Sequence, residues 1–424
     1  MNLSSIYLLA LSTFGLTPSL CFAQLDEIPV VTINDEGAWR PVTYVSISGG
    51  TSNVPLMVDT GSSSIAFCND IDMGNSAETI YYGCNAYGDG SYGWVGSFYN
   101  ALLSFGDYNE EVTDPELSFV ALMKTQNFGA CTQNIKGIMG TDLSPDLRYV
   151  KEQVLPTSGH KDCSLTETAS YFSGQFVKTM LNSADQYTFA FIGLSKERKR
   201  EYVAKDKVEQ TSVMAFGERA RERVKNHTCA GSAAFASDEN SWYTFSNDVT
   251  FDITGLKKDT DCMLLTGGDC KVTIDNKKAN NPVIIDSGTS QMILPWLHGA
   301  LKEFEGMITD ETTLTISIGD VQLSFDSDTL IDWNKGEHVI TNGDTSSARL
   351  GLPVFWMYDI LFDVNAKDLT EKNSYGNVNF YKRNSTTSGE KSFCTPTTSG
   401  GANMKSSKTS KSVIFLLLLG SLLY

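Results

Sequence analysis

Short runs of apolar residues, bounded by Gly, Asn, Asp or Ser, recur along the chain from Tyr44 onward. Most of them are rich in β-branched and aromatic residues, which is typical of β-strands. Helical spacing is found in few places, within residues 168–182, 216–225 and 297–305. The pattern therefore predicts an all-β protein with small helices. We expect strands within residues 43–50, 55–60, 99–106, 188–194, 243–255, 282–288, 313–319 and 360–364.

The length of the chain favours two lobes, because 424 residues exceed what one ordinary hydrophobic core encloses. Positive charge is concentrated near the middle, in residues 195–207 and 217–227. We interpret these two segments as a solvated connector or surface insertion and place the lobe boundary within them. The prediction is an N-terminal lobe over residues 24–205 and a C-terminal lobe over residues 206–383.

The overall charge excludes one class of partner. The chain has 33 basic and 50 acidic residues, a formal net charge of −17. Nucleic acid phosphates would be repelled by such a protein, so we expect no nucleic acid partner and do not interpret the basic segments as a binding patch for one. Hydrophobic content of 41% and charged content of 20% are typical of a globular protein.

The first 23 residues are predicted to be a secretory signal peptide. The run "IYLLALSTFGLTPSLCFA" is apolar, carries no charge and ends in small residues near Ala23. A transmembrane helix is the alternative, but the run is short and is interrupted at Thr17-Pro18. The mature protein is therefore expected to be secreted.

The C-terminal residues are predicted to carry a lipid-attachment signal. Residues 384–403 are rich in Ser, Thr and Gly, as in a flexible stalk, and residues 404–424 consist of a polar spacer and an apolar tail. The 12-residue tail "VIFLLLLGSLLY" would extend only about 18 Å as a helix, short of a bilayer core of about 30 Å. This arrangement is the pattern of a GPI-attachment signal that is removed, with cleavage near residues 399–401. The alternative is a tail that docks in a groove of the protein. We expect an extracellular protein tethered to the plasma membrane or cell wall.

Cysteines in a secreted chain indicate disulfides. Without Cys21 of the signal peptide, eight remain: Cys68, Cys84, Cys131, Cys163, Cys229, Cys262, Cys270 and Cys394. Sequence spacing predicts local pairs Cys68–Cys84 and Cys262–Cys270. By elimination, the remaining pairs are Cys131–Cys163 and Cys229–Cys394.

Other short motifs bear on glycosylation and on the binding of metals or nucleotides. Asn226 and Asn384 each begin an Asn-x-Ser/Thr sequon and are predicted glycosylation sites. No zinc-binding cysteine pattern, HExxH or GxSxG motif is present, so we expect no metal and no cofactor. The stretch "GDGSYG" at residues 88–93 matches a dinucleotide-binding pattern by letters, but a strand-like segment follows it where a helix would be required.

The most informative feature is a duplicated nine-residue segment. Residues 55–63 read "PLMVDTGSS" and residues 282–290 read "PVIIDSGTS". Asp59 and Asp286 occupy the same place in the two copies, 227 residues apart. One such triplet is a weak signal, but two copies that each end an apolar strand, one in each predicted lobe, are a strong one.

The chemistry of two carboxylates explains the duplication. Two carboxyl groups roughly 3 Å apart cannot both ionise easily, so Asp59 and Asp286 are expected to share one proton. The ionised group then acts as a general base on a water, and the protonated group donates to the scissile carbonyl. Neighbouring residues are expected to fix the pair: glycines permit a tight turn, and hydroxyls bond across to the other loop or to the adjacent aspartate. These residues are Thr60, Gly61, Ser62, Ser287, Gly288 and Thr289.

With these motifs, the sequence resembles the pepsin-like aspartic peptidases over roughly residues 30–383. Further segments that carry the resemblance are "YGDGS" at 87–91, "GIMG" at 137–140, "RLGLPVF" at 349–355 and "YDILFDVN" at 358–365. The resemblance implies a bilobed fold with the active site in the cleft between the lobes. It also implies a secreted monomeric endopeptidase that acts on peptide or protein substrates at acidic pH. Tyr87, Gly88 and Asp89 would belong to the flap that closes over substrate.

The sequence also departs from the family's pattern. Ala66 stands where many members have a tryptophan that bonds the flap tyrosine. Only about 20 residues separate the predicted signal peptide from the strand at Tyr44, which leaves no room for the usual prosegment. Insertions are expected around residues 144–175 and 195–235. The alternative function is therefore a catalytically impaired binding or inhibitor-like protein with the same fold at the cell surface.

Overall fold

A computed structural model gives the structure of the chain between Asp26 and Arg383, with gaps, and of Cys394. The described residues are 26–62, 64–87, 92–106, 116–127, 129–141, 149–150, 186–194, 212–235, 244–245, 249–258, 270–275, 283–294, 309–327, 331–332, 337–338, 340–342, 348–365, 376–383 and 394. The predicted signal peptide, stalk and tail lie outside them, apart from Cys394.

Strands predominate in these residues, so the prediction of an all-β fold is confirmed. The first strands in chain order are β1 (Glu27–Pro29), β2 (Val31–Asp35), β3 (Ala38–Ile47), β4 (Val54–Asp59), β5 (Ile65–Phe67), β6 (Ala77–Tyr87), β7 (Tyr92–Gly106), β8 (Glu116–Asn127), β9 (Gly137–Gly140), β10 (Tyr149–Val150), β11 (Gln186–Ile192), β12 (Val213–Phe216) and β13 (Thr228–Ala234). They are followed by β14 (Thr244–Phe245), β15 (Val249–Thr254), β16 (Val272–Asp275), β17 (Val283–Ile285), β18 (Met292–Leu294), β19 (Thr313–Ile318), β20 (Val321–Asp326), β21 (Ile331–Asp332), β22 (Glu337–His338), β23 (Ile340–Asn342), β24 (Ala348–Leu350), β25 (Tyr358–Asn365) and β26 (Gly376–Lys382).

Two helices lie among the described residues, α1 (Gly217–Val224) and α2 (Leu352–Met357). The helix predicted within 216–225 is confirmed as α1. The helices predicted within 168–182 and 297–305 lie outside the described residues. Neither described helix is long and apolar enough to span a membrane.

The first half of the chain forms a nine-stranded sheet in the order β10-β6-β7-β8-β5-β9-β4-β3-β2. Strand β7 also pairs with β3, so the sheet curls back on itself. Strand β9 lies between β4 and β5, parallel to the first and antiparallel to the second. This insertion places Gly140 directly beside Asp59, the last residue of β4.

The second half repeats this local arrangement in a five-stranded sheet with the order β14-β17-β24-β18-β23. Here β24 lies between β17 and β18, again parallel to the first and antiparallel to the second. The two segments that the sequence singled out, GIMG and RLGLPVF, therefore occupy equivalent places behind the two Asp-containing strands. A separate four-stranded sheet, β16-β15-β19-β20, alternates buried apolar and more exposed polar residues.

A six-stranded sheet has the order β1-β12-β11-β25-β26-β13 and contains strands from distant parts of the chain. Its strands come from the beginning, the middle and the end of the described residues, on both sides of the predicted lobe boundary. Buried aromatic rings pack on it, and Phe189 stacks on Phe362 with ring centroids 4.5 Å apart. The sheet therefore ties remote segments into one hydrophobic cluster.

Helix α1 is anchored to this sheet by charge. Ala220 and Val224 are buried against it, and Glu27 of β1 accepts bonds from Arg219 and Arg223 at 2.5 Å. Burial alone would raise the pKa of Glu27, but the hydrogen bonds and charges of the two arginines hold that pKa below its ordinary value of 4.5. Within the basic segment 217–227, α1 is therefore packed on the sheet and is not a solvated connector, while the alternative prediction of a surface insertion stays a prediction.

Two disulfides lie among the described residues, and they correct the predicted pairing. Cys68 bonds Cys131, with Cα atoms 5.8 Å apart, so the predicted pairs Cys68–Cys84 and Cys131–Cys163 are both wrong. Spacing failed here because β5 and the segment after β8 are neighbours in the sheet although they are 63 residues apart. The predicted pair Cys229–Cys394 is confirmed. Cys270 is also disulfide-bonded, but its predicted partner Cys262 lies outside the described residues.

The Glu27 contacts predict a pH-dependent contribution to stability. We expect Glu27→Gln to lower the free energy of unfolding at pH 7 by about 2 kcal/mol, because it leaves Arg223 without a carboxylate and removes one of the two carboxylate partners of Arg219. A depressed carboxyl pKa stabilises the fold above the unfolded-state pKa, and this contribution is lost as pH falls through the folded-state pKa. The difference from wild type should therefore shrink below about pH 4, as denaturation measured at several pH values would show.

The matched control for this measurement is Glu222→Gln. Glu222 also pairs with Arg219, but its side chain is more than half exposed, so the loss should stay below about 0.5 kcal/mol. Equal losses for the two variants at pH 7, or a Glu27→Gln loss that persists at pH 2, would contradict the ion-pair account.

Candidate active site

Asp59 and Asp286 are brought together from the ends of two strands in different sheets. They are 6% and 8% exposed. Each is held by the strand inserted beside it, since Thr141 N–H donates to Asp59 O and Asp286 N–H donates to Leu350 O. The repeated sequence thus gives a repeated local structure, with one carboxyl group at the tip of each copy.

The backbones of the two loops are joined by reciprocal hydrogen bonds. Thr60 Oγ1 donates to Ile285 O and accepts from Ser287 N–H, both at 2.9 Å. In the same way, Ser287 Oγ donates to Val58 O at 2.9 Å and accepts from Thr60 N–H at 3.0 Å. Each hydroxyl uses both its donor and an acceptor position, and all of the groups are buried. These are the cross-loop bonds that the sequence predicted for the residue after each aspartate.

Asp59 is oriented by its own loop. Gly61 N–H donates to Asp59 Oδ1 at 2.8 Å, and Ser62 Oγ donates to Asp59 Oδ2. Gly61 also lies against the opposite aspartate, because a Cβ added to it would be 3.1 Å from Asp286 Cγ. A side chain at this position would therefore separate the two carboxyl groups.

The second loop mirrors the first. Gly288 N–H donates to Asp286 Oδ1 at 2.9 Å, and Thr289 Oγ1 donates to Asp286 Oδ2 at 2.6 Å. A Cβ on Gly288 would be only 2.5 Å from Asp59 Oδ1, which real contacts essentially never show. Both glycines are needed for the close approach of the carboxyl groups.

The carboxyl pair is poised to hold a proton. Burial, followed by the negative charge of Asp286 and a hydrogen bond with its carboxyl group, raises the pKa of Asp59 to about 8. Bonds from Ser62 and Gly61 act in the opposite direction. Since the two groups are in contact, the titration belongs to the pair, and one shared proton is the expected state over a wide range of acidic pH. The arrangement supplies one hydrogen-bond donor and one base side by side.

Two arginines beside the pair were missed by the sequence analysis. Arg40 of β3 donates from Nη1 to Gly288 O, and burial lowers its pKa while the charges of Asp286, Asp59 and Asp35 raise it. Arg349 of β24 has Nη1 3.9 Å from Asp286 Oδ2. No sequence signal pointed to Arg40, whereas Arg349 opens the RLGLPVF segment and is the one charged residue in it.

Only part of the predicted flap lies among the residues that the structure describes. Tyr87 ends β6 and is the backbone partner of Tyr92, the first residue of β7, so these strands form an antiparallel pair. Gly88 and Asp89 lie outside the described residues, as do the side chains of Tyr87 and Cys84. Ala66, where the resembling family often has tryptophan, is fully buried in β5 and belongs to one hydrophobic cluster with Trp94.

The remaining predicted sites are separate from the carboxyl pair. Asn226 is exposed in the turn after α1, and Asn384 lies outside the described residues. Within the described part of the chain, no group of three or more His, Cys, Asp or Glu side chains is arranged to hold a metal ion. No protein-family model and no curated protein matches this chain.

The cross-loop bonds predict a strong coupling between Thr60 and Ser287. We expect Thr60→Val to lower the free energy of unfolding by about 2–4 kcal/mol, because it leaves the buried Ser287 N–H and Ile285 carbonyl unsatisfied. Ser287→Ala should have a similar effect. The double variant should lose clearly less than the sum in chemical denaturation, since each change breaks the same network.

Thr254→Val is a suitable control for this double-mutant cycle. Within the described part of the chain, the Thr254 hydroxyl makes a single contact, 3.5 Å from the Thr313 hydroxyl, and it lies on a strand where valine is well tolerated. Its loss should stay below about 1 kcal/mol. Additive losses for Thr60→Val and Ser287→Ala would show that the two loops are not held together in this way.

Proposed function

We propose that this protein is an aspartic endopeptidase of the pepsin-like class, which hydrolyses peptide bonds with Asp59 and Asp286. The observation that carries the proposal is the pair of buried carboxyl groups in contact at the tips of two matching loops. Reciprocal hydrogen bonds between Thr60 and Ser287 support it, because they hold the backbones of the two loops together. The site would lie in a cleft between two lobes.

The chemistry needs no group beyond the pair, a water and the substrate. The ionised carboxylate accepts a proton from the water as the water oxygen attacks the peptide carbonyl carbon. The protonated carboxyl group donates its proton to the carbonyl oxygen, which gives a neutral tetrahedral diol. Transfer of a proton to the amide nitrogen and cleavage of its bond to carbon then release an amine and a carboxylic acid. The shared proton fits this exchange of roles between Asp59 and Asp286.

A binding or inhibitor-like protein with the same fold is the alternative. Ala66 favours it, since the pepsin-like peptidases that the sequence resembles often have tryptophan at this position. The complete hydrogen-bond sets of Asp59 and Asp286 favour the enzyme, because they hold the two carboxyl groups in the orientation that proton exchange requires. Hydrolysis of a peptide at acidic pH that a statine-type inhibitor blocks would separate the two functions.

The proposed setting is the cell surface. We propose that residues 1–23 direct secretion, that residues 384–403 act as a stalk, and that residues 404–424 are exchanged for a GPI anchor. The enzyme would act there as a monomer on peptide or protein substrates, without a cofactor.

Removal of either carboxylate is the direct test of the proposed chemistry. We expect Asp59→Asn and Asp286→Asn each to reduce kcat by about 10²- to 10⁴-fold or more, because an amide cannot exchange the proton. The double variant should be no worse than the single ones, since the pair acts as a unit. Asp320→Asn, in an exposed turn, is the matched control and should retain wild-type turnover. Near-normal kcat in either single variant of the pair would refute the assignment.

The anchor proposal has its own test in the native host or in a eukaryotic expression cell. A GPI-specific phospholipase should release the full chain from intact cells, and a chain truncated after Asn403 should appear in the medium. Fractionation and immunoblotting measure both. Truncated protein that remained in the membrane fraction would contradict the lipid anchor, whatever the outcome of the activity assays.

A further inference from the structure

Arg349 lies on the same face of the five-stranded sheet as Asp286. It is the register partner of Ile284 in the neighbouring parallel strand β17, and Ile284 precedes Asp286 by two residues. Asp286 directly follows β17 and its N–H donates to Leu350 O, so the pairing with β24 continues to Asp286. Residues two apart along a strand point to the same face of the sheet. The other face of both strands is buried, whereas Ile284 and Arg349 are partly exposed. Arg349 is therefore beside the catalytic pair on the accessible side.

The guanidinium of Arg349 is largely uncommitted. Its Nη1 is 3.9 Å from Asp286 Oδ2, beyond hydrogen-bond distance, and this is its one ion pair within the described part of the chain. Thr289 Oγ1 and not Arg349 donates to that oxygen. The Arg349 side chain is 26% exposed, so part of it is accessible to a ligand.

Arg40 differs from Arg349 in this respect. It lies mostly buried, and its Nη1 already donates to the carbonyl of Gly288 in the catalytic loop. Its position supports the loop from within the protein, while Arg349 faces outward beside the reacting groups. Both arginines are partly exposed, but within the described residues only the Arg40 guanidinium is bonded to the backbone of the loop, so Arg349 is the cation left to meet a substrate side chain.

We propose that Arg349 is a specificity-determining residue that selects substrates with a carboxylate side chain directly next to the scissile bond. This inference rests on the proposed endopeptidase function. A planar guanidinium bound to a carboxylate makes charge-assisted bonds, which are stronger than neutral ones. An apolar or basic side chain at the same place would leave the guanidinium unpaired or repelled.

The test compares three peptides that differ only at one residue flanking the scissile bond, occupied by Glu, Gln or Lys. A second set varies the residue on the other side of the bond. With wild-type protein at about pH 5.5, where glutamate is ionised, we expect kcat/KM to be at least about tenfold higher for Glu than for Gln in one set only. Arg349→Met should abolish this ratio, and Arg349→Lys should retain part of it.

The measured quantity is the ratio of kcat/KM for the Glu and Gln peptides. Arg349 lies near Asp286, so its replacement can also change the rate for every peptide. A change in folded fraction or in the protonation of the pair alters both peptides equally and cancels in the ratio. Lys271→Gln removes a positive charge whose partner is Asp252, on the four-stranded sheet, and should leave the ratio unchanged. A Glu/Gln ratio that survived Arg349→Met would overturn the proposal, as would a wild-type ratio near one.

A pH series adds a second, independent readout. The preference for Glu should fade as pH falls through about 4.3, where the substrate carboxyl becomes protonated. A peptide with cysteic acid at the same position stays ionised and should keep its advantage at pH 3. Preference for Glu that persisted unchanged at pH 3 would show that charge is not recognised.

If wild type cleaved none of the peptides, the proposed function itself would fail. If it cleaved the Glu and Gln peptides equally, only this inference would fail.

Discussion

The contact between two matching loops is the constraint on which the rest of the site depends. Thr60 and Ser287 each satisfy two backbone groups of the opposite loop, so neither loop can move without leaving buried groups unpaired. This contact fixes the distance between two carboxyl groups that would repel each other if both were ionised. The raised pKa of Asp59 follows from burial and from that enforced proximity, and so does the ability of the pair to hold a proton.

The sheets explain how that contact is maintained. An inserted parallel strand stands behind each aspartate, β9 in one sheet and β24 in the other, and each closes the space into which its loop could otherwise relax. Arg349 belongs to β24, the strand that supports Asp286, and its side chain therefore lies next to that aspartate on the accessible face of the sheet. Backbone bonds from β24 hold Asp286 in place, so the side chain at position 349 can differ without loss of that support.

Much of the local structure was predictable, because it depends on short stretches of sequence. The apolar runs predicted the strands, and the hydroxyl after each aspartate predicted the bonds between the loops. Contacts between residues that are far apart in the sequence could not be predicted in this way. The Cys68–Cys131 bond was missed because spacing does not reveal that β5 and β8 are adjacent. Arg40 was missed because its partner Gly288 is 248 residues away.

The six-stranded sheet has a consequence for how the protein reaches its native state. Strand β11 pairs with β25 between residues that are 169 or more apart along the chain, and β1 joins through β12 on the far side. Contacts of such long sequence separation form slowly, since the entropy of closing the loop is lost before pairing compensates for it. The sheet, and with it the meeting of the two loops, cannot be completed on a ribosome before the last strands emerge. Until residue 286 has been synthesised, a partial chain carries only one carboxylate of the pair, and until β25 and β26 emerge it lacks two strands of the six-stranded sheet.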